Sequence, residues 1–169
     1  MNYNLHPIFV HFPIALFLLY SALYIFPWPK RLPTVNWQIP RITILIAGLI
    51  GAWLSNSTGE LAQRLARPDR AILEMHETFA SASTNIYAIL LIIELILFLN
   101  PEWLKNKYLL TLKPVLISLK KLFSKIWFLR LIALLGALSI SLTGLLGGIM
   151  VYGVSADPLA APILKLLGL

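Results

Sequence analysis

His11-Phe12-Pro13-Ile14-Ala15 opens the first apolar segment of this chain, and His76-Glu77-Thr78-Phe79-Ala80 opens the third. The second and fourth segments share another pattern: Gly51-Ala52 followed by Thr58-Gly59, and Gly136-Ala137 followed by Thr143-Gly144. His11 and Ala15 align with His76 and Ala80 at an offset of 65 (76 less 11). The glycines and threonines align at an offset of 85 (136 less 51), so the second half carries a 20-residue insertion (85 less 65) in its internal connection. The chain reads as a duplicated helical hairpin. Two hairpins starting on one side are related by an axis along the membrane normal, the parallel-repeat arrangement, and each brings one histidine to a matching depth.

The membrane class follows from composition. The chain is 59% hydrophobic and 12% charged, with a mean hydropathy of +0.81, far from a soluble domain. Its 169 residues form one domain, 1–169. A hydrocarbon core about 30 Å thick needs roughly 20 apolar residues per helix. Four stretches qualify, at about 8–28, 42–59, 78–99 and 126–153. The expected fold is therefore an all-α membrane protein, a four-transmembrane-helix bundle. The first stretch lacks a basic residue before its apolar run and has a histidine at its entry, so it reads as a mature helix rather than a signal peptide. There is no cysteine, which removes disulfides, iron–sulfur clusters and thiolate metal sites.

Charge gives an orientation. The net charge of +7 is no nucleic-acid signal here, because the basic residues sort by connection. The first connection has Lys30, Arg31 and Arg41, and the third has Lys105, Lys107, Lys113, Lys120, Lys121, Lys125 and Arg130. The second has Arg64, Arg67 and Arg70, and the tail has Lys165. Ten basic residues thus share one side and four the other. The positive-inside rule puts both termini outside, in a multi-pass protein of a bacterial inner membrane. The basic loops then need no role beyond topology and contact with anionic lipid.

Prolines and small residues punctuate the spans. Pro7 and Pro13 fall in the first turns of the first helix, where a missing amide donor costs little. Pro27, Pro29 and Pro33 end it, Pro40 opens the second, and Asn100-Pro101 stops the third. Gly48, Gly51, Ala52, Ser55 and Gly59 lie along one face of the second helix, and Gly144 and Gly148 form GxxxG in the fourth. The pattern over 61–73 predicts a short surface helix broken by Pro68. That over 108–125, with leucines and lysines interleaved, predicts a helix on the inner membrane surface. Pro158 and Pro162 allow only a broken helix in the tail, and Tyr3, Trp28, Trp37, Trp103 and Trp127 fit interfacial belts.

The stretch His6-Pro7-Ile8-Phe9-Val10-His11-Phe12-Pro13-Ile14-Ala15-Leu16 resembles the opening signature of an uncharacterised bacterial membrane family, domain of unknown function 2231. Thr58-Gly59-Glu60 and His76 fit the family's weaker later features, with Glu60 standing where aspartate is expected. The resemblance covers nearly the whole chain. It implies a four-span bacterial inner-membrane protein and supports the importance of the histidines, and it carries no settled activity.

All three histidines fall in one leaflet under this topology, with Ser55, Asn56, Ser57, Thr58, Glu60, Glu74, Glu77, Thr78, Tyr152 and Asp157. His6 and His11 lie about 140° apart around a helix, so both cannot face the bundle axis. His11 is deeper and repeats as His76, which makes it the expected inward residue. Two neutral imidazoles can bind haem iron from opposite sides. On that reading His11 and His76 are the axial pair of a haem b, and Gly59 and Gly144 make room for the porphyrin. Arg64, Arg67 or Arg70 face the propionates, and each ligating ring needs a partner for its other nitrogen. With no open position on the iron, such a protein carries electrons near the outer leaflet, beside a quinone or a respiratory partner protein. It is an electron carrier or subunit rather than a stand-alone enzyme.

Two rival readings stand beside it. Zinc or copper(II) would recruit His6 with His11, His76 and one of Glu60, Glu74 or Glu77 in a transport component. Alternatively the histidines bind no cofactor and form a structural or proton-linked cluster across helices. Glu94 is the other singular residue, eighteen residues after His76 and on its helix face, about 27 Å away along the axis. It either snorkels towards Arg130 or the lysines, or begins a proton path through Tyr87 and Ser83 to His76. No nucleophile–base pair, phosphate loop or HExxH pattern is present, and nothing points to nucleic acid. The expected partners are the lipid bilayer and a second copy in a homo-oligomer.

Overall fold

In the computed structural model the described residues are 6–26, 34–103 and 110–169, with only the backbone described at Ala66 and Ala156. Four long helices carry the fold: α1 (His6–Ile25), α2 (Gln38–Ala66), α3 (Arg70–Phe98) and α5 (Ile126–Tyr152). All four are long and apolar enough to cross a membrane. Between α3 and α5 lie a 3-10 turn at Pro101–Trp103 and the helix α4 (Lys113–Phe123). A second 3-10 turn at Val154–Ala156 and the helix α6 (Ala160–Leu167) close the chain. The expected end of the first span at 27–28 and the start of the inner helix at 108–109 lie outside the described residues. So do Tyr3, Pro27, Trp28, Pro29, Lys30, Arg31, Pro33, Lys105 and Lys107.

The helices form a closed ring. α1 packs on α2 and α5, and α3 packs on α2 and α5, so α1 and α3 face each other diagonally. The outer surface is apolar like the core, unlike that of a soluble bundle. Ile46, Ile50, Trp53, Ile89, Ile92, Leu131, Leu134 and Leu138 point outward, while Ser21, Ser55, Ser83, Glu94, Ser139 and Thr143 are buried. That is the distribution lipid favours, because apolar side chains cost nothing there and polar ones must find partners inside. On α1 the buried face is Pro13, Phe17, Tyr20, Ser21 and Tyr24, spaced three or four apart as one helical stripe requires.

One predicted element is absent. The 61–73 segment is not a separate surface helix: α2 runs on to Ala66 and α3 starts at Arg70. At 29 residues each, these helices are about 44 Å long and overshoot a bilayer core of about 30 Å. The turn between them is tight because Arg67 adopts the left-handed conformation (φ 45°) and its N–H caps Gln63. Asp69 then accepts from the N–H groups of Ala71 (2.9 Å) and Ile72 (3.3 Å), an N-cap that starts α3 at once. At the other end α3 stops at Phe98, before Asn100-Pro101, as the sequence predicts. Lys120 of α4 donates to the carbonyls of Leu97 (2.8 Å) and Leu99 (2.5 Å), which satisfies the end of that helix.

Candidate functional site

The bundle has two polar ends, separated by an apolar and aromatic middle. At one end, the N-terminal end of α1 and α3, stand the histidines. The His6 Nδ1–H donates to the Ser55 carbonyl (3.0 Å) and lies 3.1 Å from Thr58 Oγ1. The His76 Nδ1–H donates to the Thr143 carbonyl at 3.0 Å. A carbonyl can only accept, so Nδ1 carries a proton in both rings. The two rings lie within electrostatic reach of each other across the diagonal. Gly59 lies against the His6 ring and Gly147 against the His76 ring, where an added Cβ would sit 3.7 and 3.3 Å from the respective Cε1 atoms. Ser55 Oγ, on the same turn of α2, is buried without a hydrogen-bond partner among the described residues.

This arrangement corrects the expected pairing of His11 with His76. His11 is exposed, and its Nδ1–H bonds the Pro7 carbonyl of its own helix. The rotation of α1 is fixed by the burial of Phe17, Tyr20 and Tyr24, and that stripe carries His6 inward and His11 outward. Gly144 is likewise displaced from the site: a Cβ there would meet Ile14 of α1 at 3.6 Å, so the residue serves helix packing, and Gly147 takes the place beside the imidazole. Arg64 and Arg70 project from the α2–α3 turn, ion-paired with Glu60 (3.8 Å) and Glu74 (3.0 Å) one helical turn away, and Arg67 is exposed between them. Glu77 accepts from Gln63 Nε2 at 2.7 Å. Among the described residues no three His, Asp or Glu side chains gather as a metal site.

The middle layer is a ring pair. Phe17 stacks on Tyr87 at 4.0 Å and 12°, and Tyr20 meets Tyr87 edge-on. Each stacked ring needs a glycine on the facing helix. A Cβ on Gly48 would lie 2.5 Å from Phe17, and one on Gly136 would lie 2.9 Å from Tyr87. The Tyr87 hydroxyl is 2.8 Å from Ser21 Oγ, which donates to the Ala133 carbonyl at 2.9 Å.

The opposite end centres on Glu94, which is 0% exposed. Its Oε1 accepts from Tyr24 (2.6 Å), Arg41 Nε (2.7 Å) and Tyr20 (3.3 Å). The Arg41 guanidinium also lies over the Tyr24 ring, 4.8 Å from its centroid. Arg130 Nε donates to the Tyr24 carbonyl at 3.0 Å, so all four long helices meet here. Glu94 therefore does not snorkel towards Arg130 or the lysines. Arg41, one of the basic residues read as a topology determinant, is its ion-pair partner. The path from Glu94 to His76 also breaks, because Ser83 Oγ donates to its own helix at the Ala80 carbonyl (2.9 Å) and Tyr87 turns to Ser21.

Sequence reasoning missed the interval that organises both ends. Tyr24 and Glu94 are 70 residues apart, and the same separation divides His6 from His76 and Phe17 from Tyr87. Comparison of the chain with family models, curated proteins and solved structures found no match.

Proposed function

We propose that this chain is a b-type haem membrane protein that passes electrons at its histidine end, with His6 and His76 as the axial ligands. One observation carries the reading. Two histidines on diagonal helices each commit Nδ1–H to a backbone carbonyl of a neighbouring helix, the kind of bond that orients a ligating imidazole. A bis-histidine haem would supply a one-electron couple without an open coordination position. The chain's own residues do the rest. The Ser55 and Thr143 carbonyls hold the rings through Nδ1, and Gly59 and Gly147 let the rings pack close against the helices beside them. The orphaned Ser55 hydroxyl offers a polar contact. Arg64 and Arg70 are ion-paired at this end, and the exposed Arg67 between them is the cation that would face the propionates.

A three-ligand zinc or copper site is less well supported, since His11 is turned away and no such trio gathers among the described residues. The excess of basic residues on the connections at the other end supports a bacterial inner membrane with both termini, and hence the haem, on the outer side. Electrons would then pass to a quinone or a respiratory partner protein. The resemblance of residues 6–16 to domain of unknown function 2231 belongs to this reading for architecture alone.

The test is the absorption spectrum of protein purified from haem-replete cells. The expected result is a low-spin bis-histidine spectrum that His6→Ala and His76→Ala abolish and His11→Ala retains. A colourless preparation that takes up no added haem would remove the proposal.

A further inference from the structure

We propose that the carboxylate end holds an internal water site: a water molecule, admitted past Arg41 from the adjacent interface, donates a hydrogen bond to Glu94 Oε2, and the Phe17–Tyr87 layer stops water there. The starting point is an imbalance within one side chain. Glu94 Oε1 takes three hydrogen bonds, whereas Oε2 is fully buried with no donor among the described residues. A buried carboxylate oxygen without a donor is costly in a low-dielectric interior, and native structures satisfy such atoms with protein or ordered water.

No protein donor among the described residues reaches Oε2. Tyr20, Tyr24 and Arg41 Nε serve Oε1, Arg130 Nε serves the Tyr24 carbonyl, and Ser21 serves the Ala133 carbonyl. Gln38 Nε2 is directed at the Glu94 carbonyl, 3.5 Å away. A metal cation is opposed by the guanidinium beside Oε1 and by the lack of further carboxylates. Water suits the place, because it donates to Oε2 and can itself be held by the phenolic oxygens of Tyr20 and Tyr24, giving it the two to four partners that buried water needs.

An entrance and a stop are both visible. Arg41 is 17% exposed while its partner Glu94 is sealed, so the ion pair links the buried carboxylate to a side chain that reaches the surface. In the other direction Phe17 and Tyr87 stack, are wholly buried and fill the space left by Gly48 and Gly136. Beyond them Ser83, Thr84, Ser139 and Thr143 each donate to a backbone carbonyl, and among the described residues no bond from one side chain to another links the layer to His76. The water site therefore communicates with one face of the membrane, and the histidine end with the other. This inference is independent of haem binding.

Radiolytic hydroxyl-radical labelling of the full chain in nanodiscs tests it, because radicals generated from bound water modify neighbouring side chains even where bulk solvent is excluded. Tyr20 and Tyr87 are both 0% exposed and chemically identical. Tyr20 is expected to be modified several-fold faster than Tyr87 in the wild type. Glu94→Leu is expected to bring the two to the same low rate, and Phe17→Ala to raise labelling at Tyr87. Equal slow modification of Tyr20 and Tyr87 in the wild type would overturn the proposal, as would a Tyr20 rate that Glu94→Leu leaves unchanged. The wild-type comparison needs no variant to fold.

Discussion

The two ends of this bundle use the same pair of diagonal helices, and yet they are built by different chemistry. At the histidine end each imidazole hangs on the backbone of its neighbour through Nδ1, and both rings stay only partly buried. At the carboxylate end side chains bind side chains, and α1, α2 and α3 converge on one oxygen of a sealed Glu94. The first arrangement orients the rings and adds little stability. The second removes two charges from water and survives only because each finds partners. One diagonal pair of helices thus carries both ends, and residue identity leaves backbone-anchored rings at one and a junction of side chains at the other.

The contrast predicts an order of effects. The largest belongs to the ion pair: Arg41→Ala leaves a buried, uncompensated carboxylate and should cost about 3–5 kcal/mol. Unfolding in mixed micelles measures it, and a loss below about 1 kcal/mol would put the pair in the class of surface salt bridges. The middle layer comes next. Gly48→Ala drives a methyl into the Phe17 ring and should cost about 1–3 kcal/mol by overpacking, read from the same unfolding curves. Smaller again is the histidine end. In cofactor-free protein His76→Ala removes one hydrogen bond to a carbonyl, about 0.5–1.5 kcal/mol. If it destabilised the apoprotein more than Arg41→Ala does, the contrast between the ends would be reversed. Smallest is Arg70→Ala, which breaks an exposed pair and should leave the unfolding midpoint where it was.

The architecture was legible because lipid imposes it. Twenty-residue apolar runs, proline stops and small-residue faces name four spans without any tertiary information. What the local pattern did not reveal was rotation about each helix axis. Aligning His11 with His76 used the matching Ala15 and Ala80, two small residues that repeat easily in apolar sequence. A firmer signal lay in an interval. Glu94 follows His76 by eighteen residues, five full turns, and Tyr24 follows His6 by the same eighteen. Counting from His11 to Tyr24 gives thirteen residues, about 220° away from that face. The partner of Glu94 was hidden for another reason. Arg41 lies at the start of its apolar segment, where a basic residue is ordinarily a topology signal, and only the packing of α2 against α3 turns it inward. The surface helix predicted over 61–73 failed because α2 and α3 overshoot the bilayer, which left Arg67, Pro68 and Asp69 to make the whole connection.

The central claim is that His6, and not His11, faces His76 across the bundle. The chain contains no cysteine, so paired cysteines can be placed without background. Full-length protein carrying His6→Cys with His76→Cys, and protein carrying His11→Cys with His76→Cys, should be treated in membranes with a short bifunctional thiol reagent and cleaved between α2 and α3. The account predicts that the first pair stays linked after cleavage and the second falls apart. Efficient linking of the His11 and His76 positions, with none between the His6 and His76 positions, would contradict it.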